Sequence, residues 1–129
     1  MKFTFGKIEK LKSKKAIDLL FSEGKSVSAF PLRLIYLKMD FNDSVYAKVG
    51  VSVSKKNFKN AANRNYLKRL LREAYRTNKH EYFNNISTQH ALMILYLGKE
   101  KMEFHEIESK MTLMFEKFNS KIFQNEKRT

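Results

Sequence analysis

Nine cationic side chains lie between Lys55 and Lys79, against a single acid, Glu73. At about 100° per residue, a helix through this stretch places Arg64, Asn65, Lys68, Arg69, Arg72 and Arg76 on one arc, opposite Leu67, Leu70, Leu71 and Ala74. The aliphatic stripe is the side that docks on a core, so the basic arc faces outward. Guanidinium groups bind phosphate through two parallel hydrogen bonds, whereas lysines act as point charges. Asn65 adds a donor and an acceptor suited to a phosphate or a 2′-hydroxyl. Lys55, Lys56 and Lys59 extend the patch ahead of the helix. This is anion-binding chemistry rather than bond-making chemistry. The chain shows no nucleophile-base set, no paired carboxylates in an apolar setting and no phosphate-cradling glycine loop. His80, His90 and His105 lack metal-ligand spacing, and there is no cysteine.

Over its 129 residues the chain carries a net charge of +13, which makes nucleic acid the first partner to consider. The length fits a single RNA-binding domain, residues 1–129, with frayed ends at about 1–8 and 121–129. The lack of cysteine suits a reducing compartment, the N-terminus lacks the apolar core of a signal peptide, and no apolar run approaches the ~20 residues of a membrane span. These features predict a soluble cytoplasmic protein without a membrane partner. A membrane-surface helix is disfavoured because the apolar side of the basic helix is needed to cover a sheet. DNA is disfavoured because that helix lies between strands rather than a short turn after another helix.

The elements that must hold the patch follow from periodicity. Ser13 is a candidate N-cap for a helix to about Ser22, with Ile17, Leu20 and Phe21 on one face and Gly24 at its end. Leu32–Met39 is rich in β-formers, and the polar turn Asp40–Ser44 predicts a hairpin into the next strand. In that strand Val45, Ala47, Val49, Val51 and Val53 alternate with Tyr46, Lys48, Gly50, Ser52 and Ser54, giving a core face and a polar face where small residues admit a ligand. The basic helix spans about Asn60–Asn78 and is followed by a polar loop through Asn84, Asn85 and Ser87. Ala91–Leu97 is apolar without alternation, as in a strand covered on both faces. A strand, a helix and a buried strand in this order predict a βαβ unit with parallel pairing. Phe104, Ile107, Met111, Met114, Phe115, Phe118 and Ile122 predict a final amphipathic helix.

The stretch Ser54-Lys55-Lys56-Asn57-Phe58-Lys59-Asn60-Ala61-Ala62-Asn63-Arg64-Asn65-Tyr66-Leu67-Lys68-Arg69-Leu70-Leu71-Arg72-Glu73 resembles the signature of the bacterial ribonuclease P protein subunit family. Leu11-Lys12, Phe21, Gly24-Lys25 and Val49–Ser54 support the resemblance over nearly the whole chain. Tyr66, Lys59 and Ile17 depart from the family's usual residues.

The resemblance implies an α+β two-layer sandwich in the order α-β-β-β-α-β-α, with a small mixed sheet and a left-handed βαβ crossover, a topology shared with a small-subunit ribosomal protein. It also implies that the catalyst is an RNA, with the protein as the accessory subunit of an endoribonuclease that matures tRNA 5′ ends. The partners would be that catalytic RNA and precursor tRNA, and the cofactor Mg²⁺, held mainly by RNA and substrate. Lys55, Lys56, Lys59, Arg64, Asn65, Lys68, Arg69, Arg72 and Arg76 would bind RNA. Ile17, Phe21, Tyr36, Ser52 and Ser54 could line a cleft for the 5′ leader. Phe21 is equally readable as core and Ile17 more readily so, and a shift of one residue would put Ile35 in place of Tyr36. The alternative function is a non-catalytic RNA-binding protein of ribosomal or chaperone type.

Overall fold

Ser13 begins the first helix as its spacing predicts, its hydroxyl accepting a hydrogen bond from Ala16 N at 3.2 Å. In the computed structural model, which describes residues 5–83 and 88–127, a 3₁₀ turn (Lys7–Glu9) precedes α1 (Lys14–Glu23), β1 (Lys25–Ala29), β2 (Leu32–Lys38), β3 (Ala47–Val53), α2 (Ala61–Tyr82), β4 (His90–Tyr96) and α3 (Phe104–Lys127). Asn84, Asn85 and Ser87, read as a polar loop, lie outside the described residues. The frayed stretch expected from 121 is helical as far as Lys127.

The four strands form one mixed sheet in the order β1-β2-β4-β3. β1 and β2 are antiparallel, as are β2 and β4, while β3 runs parallel to β4. The parallel βαβ expectation therefore holds, but the expected hairpin from β2 into β3 does not form. β4, the most apolar strand, takes a central place between them and buries both faces. β3 is left at an edge, where Leu11 N donates to Val49 O at 3.1 Å. Gln89, just before β4, ties the Asp40–Ser44 turn to it: its amide nitrogen donates to the carbonyls of Asp43 (2.8 Å) and Val45 (2.7 Å), and its oxygen accepts from Phe41 N.

Alternation along the strands divides the core in two. Leu32, Leu34, Tyr36, Ala47, Val49, Val53, Leu92, Ile94 and Tyr96 face α2 and α3. Ala91 and Met93, with half-buried Ile35, Leu37 and Leu95, face the other way and are partly covered by α1 through Ala16, Ile17 and Leu20. The sandwich is thus α2 and α3 on the sheet, with α1 adding partial cover behind. Gly50 belongs to this rear layer. A Cβ there would come within 2.9 Å of Met93 Cε, so its small size serves packing and does not open a path for a ligand.

Four of the six tyrosines are held well into this structure. Burial pushes the phenols of Tyr36, Tyr75, Tyr82 and Tyr96 above their ordinary value. A phenol whose folded pKa is raised binds its proton more tightly in the native state, so stability is intact below the unfolded value of about 10 and falls as pH rises through it. The expected result is cooperative loss of helical circular dichroism above about pH 10, with tyrosinate absorbance rising along the same curve. Absorbance that rose to completion while the helices persisted would contradict this burial.

Candidate nucleic-acid interface

Asn60 starts α2, its side-chain oxygen accepting from Ala62 N at 2.7 Å. The buried stripe includes Leu67, Leu71 and Ala74 as expected, and continues through Tyr75, Lys79 and Tyr82. These added residues turn the inward direction of the helix by roughly 50° from the stripe read in sequence. The basic residues divide accordingly. Asn65, Arg69 and Arg72 are exposed, whereas Arg64, Lys68 and Arg76 are half-buried.

Asn65, Arg69, Arg72, Glu73 and Arg76 line a groove of about 370 Å³, closed on its other side by Phe5 and Lys10. The N-terminal segment is held there by Phe5, whose ring lies 5.4 Å from that of Tyr75, and Lys10 Nζ sits 5.8 Å from the Phe5 ring centre. Glu73 is the one acid on this wall. Arg76 engages it in an ion pair, holding its carboxyl below the usual carboxylate range. Arg76 thus spends part of its charge within the helix, leaving Arg69 and Arg72 as the prominent cations.

Lys55, Lys56 and Lys59 are exposed on the connection from β3 to α2. Ser54 Oγ accepts from Lys56 N at 3.1 Å, so Ser54 shapes this connection as well as ending the polar face of β3. Two cations counted with the patch are turned inward. Lys79 is 8% exposed and pairs with Glu9 at 2.5 Å, and Arg64 Nη1 donates to the carbonyls of Phe58 (2.7 Å) and Lys59 (2.9 Å). The outward placement expected of Arg64 is corrected: it reaches back along the chain to the preceding loop.

The leader-cleft residues separate. Tyr36 is 5% exposed on the α2–α3 face, its ring edge-on to Phe118 at 5.0 Å, and so lies across the sheet from the α1 side. The alternation supplies Ile35 instead. Ile17 packs in the rear layer, Phe21 is 50% exposed at the end of α1, and Ser52 is half-buried on the same side of the sheet. Arg33 and Leu95 join Ser52 in one row of paired residues across this face, with Arg33 Nη2 donating to Ser26 Oγ at 3.0 Å.

Sequence reasoning passed over Arg33, Lys10 and Lys101. The signal for Arg33 was its alternation with Leu32 and Leu34. Lys10 reaches the groove only by long-range packing, and Lys101, which lies over the Tyr66 ring at 5.4 Å, comes from the loop after β4.

The groove does not suit a protein-held cation, because Glu73 is its single carboxylate and is already paired. Glu103, His105 and Glu106 form an exposed group elsewhere, at the start of α3. Among the described residues no helix is long and apolar enough to cross a membrane.

A sheet half-wrapped by helices, with one helix presenting guanidinium groups beside a lysine-rich loop, defines a small basic α+β protein. Residues 5–119 match the model of the Ribonuclease P family. The ribonuclease P protein component of Chlorobium phaeobacteroides is 39% identical over 106 residues, covering 74% of this chain and 73% of that one. That of Porphyromonas gingivalis strain ATCC 33277 is 46% identical over 79 residues, covering 60% of this chain and only 58% of that relative's length. The RNase P protein from Thermotoga maritima, 28% identical, aligns with a TM-score of 0.65 over 84% of this chain and 96% of that one. The Staphylococcus aureus RNase P protein, 19% identical, shares the fold with a TM-score of 0.67, covering 84% of this chain and 93% of that one. The chain belongs to the bacterial ribonuclease P protein family.

Proposed function

We propose that this chain is the protein subunit of ribonuclease P, binding the catalytic RNA and the 5′ leader of precursor tRNA and assisting Mg²⁺-dependent removal of the leader. The observation that carries this reading is the pairing of exposed Asn65, Arg69 and Arg72 with the Lys55–Lys59 loop, in a chain of this family. Apart from the neutral amide of Asn65, the groups on that face are cationic donors, suited to screening phosphates and poorly suited to moving protons. His90 is buried with its ring 5.4 Å from Phe118, and His105 at the start of α3 sits beside Glu103, so neither forms an acid-base centre with the groove. In this reading Mg²⁺ is held by RNA and substrate and supplies Lewis-acid assistance to phosphodiester hydrolysis. The protein lowers the electrostatic cost of bringing two polyanions together in the cytoplasm. Purification of the protein from its own cells tests this directly: a structured RNA that copurifies and cleaves precursor tRNA supports it, a copurified ribosome points to the non-catalytic alternative, and copurification of no RNA contradicts both.

Leader recognition belongs to the α1 face of the sheet, with Phe21 as the exposed aromatic and Ser52 and Arg33 on the strands. Base stacking on an aromatic ring contributes about 1 to 3 kcal/mol. Phe21→Ala is therefore expected to weaken binding of precursor tRNA about tenfold while leaving mature tRNA nearly unchanged. Equal losses on both would assign Phe21 to packing of α1.

A further inference from the structure

We propose that Arg64 is a positioning residue, whose guanidinium braces the connection between β3 and α2 so that Lys55, Lys56 and Lys59 reach RNA as one preformed array. This rests on the RNA-binding reading above. Arg64 sits in the first turns of a helix whose neighbouring arginines, Arg69 and Arg72, extend into solvent, yet its Nη1 is directed at two successive backbone carbonyls, Phe58 O at 2.7 Å and Lys59 O at 2.9 Å. Those carbonyls lie upstream of the helical ladder, which Asn60 O begins by accepting from Arg64 N at 3.2 Å. A cation there offsets the partial negative charge that two nearby carbonyl oxygens present.

The rest of the connection is fastened in the same manner. Phe58 N donates to Ser54 O at 3.0 Å, and Asn57 Nδ2 donates to Leu97 O at 3.2 Å. The Phe58 ring is buried against Tyr96, with centroids 5.9 Å apart. Each lysine is thereby set beside a fixed backbone atom, although three like charges this close in sequence favour an open, fluctuating loop. Ordering such a loop only when RNA arrives would subtract from affinity, and a brace removes that cost beforehand. A direct phosphate contact does not require Nη1 to face inward, whereas a brace does.

The test is a double-mutant cycle read by RNA affinity at low salt, together with amide hydrogen exchange of the free protein. Arg64→Ala is expected to weaken binding about tenfold in the native background, and less than about twofold when Lys55→Ala and Lys56→Ala are already present. In the free protein, the amides of Lys56 and Phe58 should exchange faster in Arg64→Ala while those of β4 are unchanged, which separates loosening of the loop from general destabilisation. Equal affinity losses in the two backgrounds, or unaltered exchange at Lys56 and Phe58, would overturn the proposal. If the native protein bound no structured RNA, the RNA reading itself would fall, and the exchange result would still decide the brace.

Discussion

Replacing Arg69 and Arg72 together with alanine is expected to lower affinity for the catalytic RNA by roughly 100- to 1,000-fold, at about 1.5 to 2 kcal/mol for each charge-assisted contact. Both side chains are exposed and neither is hydrogen-bonded or ion-paired to another described residue, so the fold should survive with stability changed by no more than about 0.5 kcal/mol. The loss should also be visible in the dependence of affinity on salt. Each phosphate contact removed flattens the plot of log K against log salt by about 0.7 to 0.9. A double variant that bound less tightly with an unchanged slope would remove these arginines from the phosphate interface. Arg76→Ala should cost less, because Arg76 already shares its charge with Glu73.

The largest expected effect on stability is at Phe115. Its ring is fully buried, stacks on Tyr82 at 4.1 Å with planes 3° apart, and lies within 6.0 Å of Tyr75, Phe83 and Phe118. These neighbours come from both α2 and α3 and from the residue that caps α2, so the ring joins the two helices that cover the sheet. Phe115→Ala removes the aromatic contacts and leaves a cavity, a change worth about 3 to 5 kcal/mol. Against a total stability of about 5 to 15 kcal/mol, that brings the protein close to unfolding. Urea titration should show a much lower midpoint with little change in slope. A midpoint within experimental error of the native protein would mean that α3 does not hold α2 in place. Because α2 carries the basic face, loss of RNA affinity should follow loss of helix rather than precede it.

These two residue classes were not equally legible from sequence. α3 declared itself through the spacing of Ile107, Met111, Met114, Phe115, Phe118 and Ile122, all of them buried. β4 declared itself through an apolar run without alternation, and both of its faces are indeed covered. β1 was hidden, because Ser26, Ser28 and Ala29 carry little β-forming character, and only pairing with β2 gives the segment its alternation of exposed and buried residues. Strand pairing was hidden as well. The turn Asp40–Ser44 reads locally as a hairpin, while the outcome is decided by β4, some fifty residues further on.

In the candidate interface, the basic helix was legible as a face but not residue by residue. The aliphatic stripe from Leu67 to Ala74 gave an inward direction that Tyr75, Lys79 and Tyr82 then rotate. That rotation explains why Arg64 and Lys79 turn inward while Arg69 and Arg72 remain outside. Tyr36 was misplaced for the same kind of reason. In a strand a shift of one residue exchanges the two faces, and the register that settles the choice comes from the partner strand. Phe5 joins the groove through its contact with Tyr75 across some seventy residues, and Lys10 through its place over the Phe5 ring, which local spacing does not encode.

The proposed role as a ribonuclease P subunit is tested most directly by cleavage of precursor tRNA by the cognate catalytic RNA, measured across a Mg²⁺ titration with and without this protein. If the basic face screens phosphates that Mg²⁺ would otherwise have to screen, the protein should move half-maximal cleavage to a lower Mg²⁺ concentration, and the Arg69→Ala/Arg72→Ala variant should lose most of that shift. Superimposable Mg²⁺ curves in the presence and absence of the native protein would contradict the account.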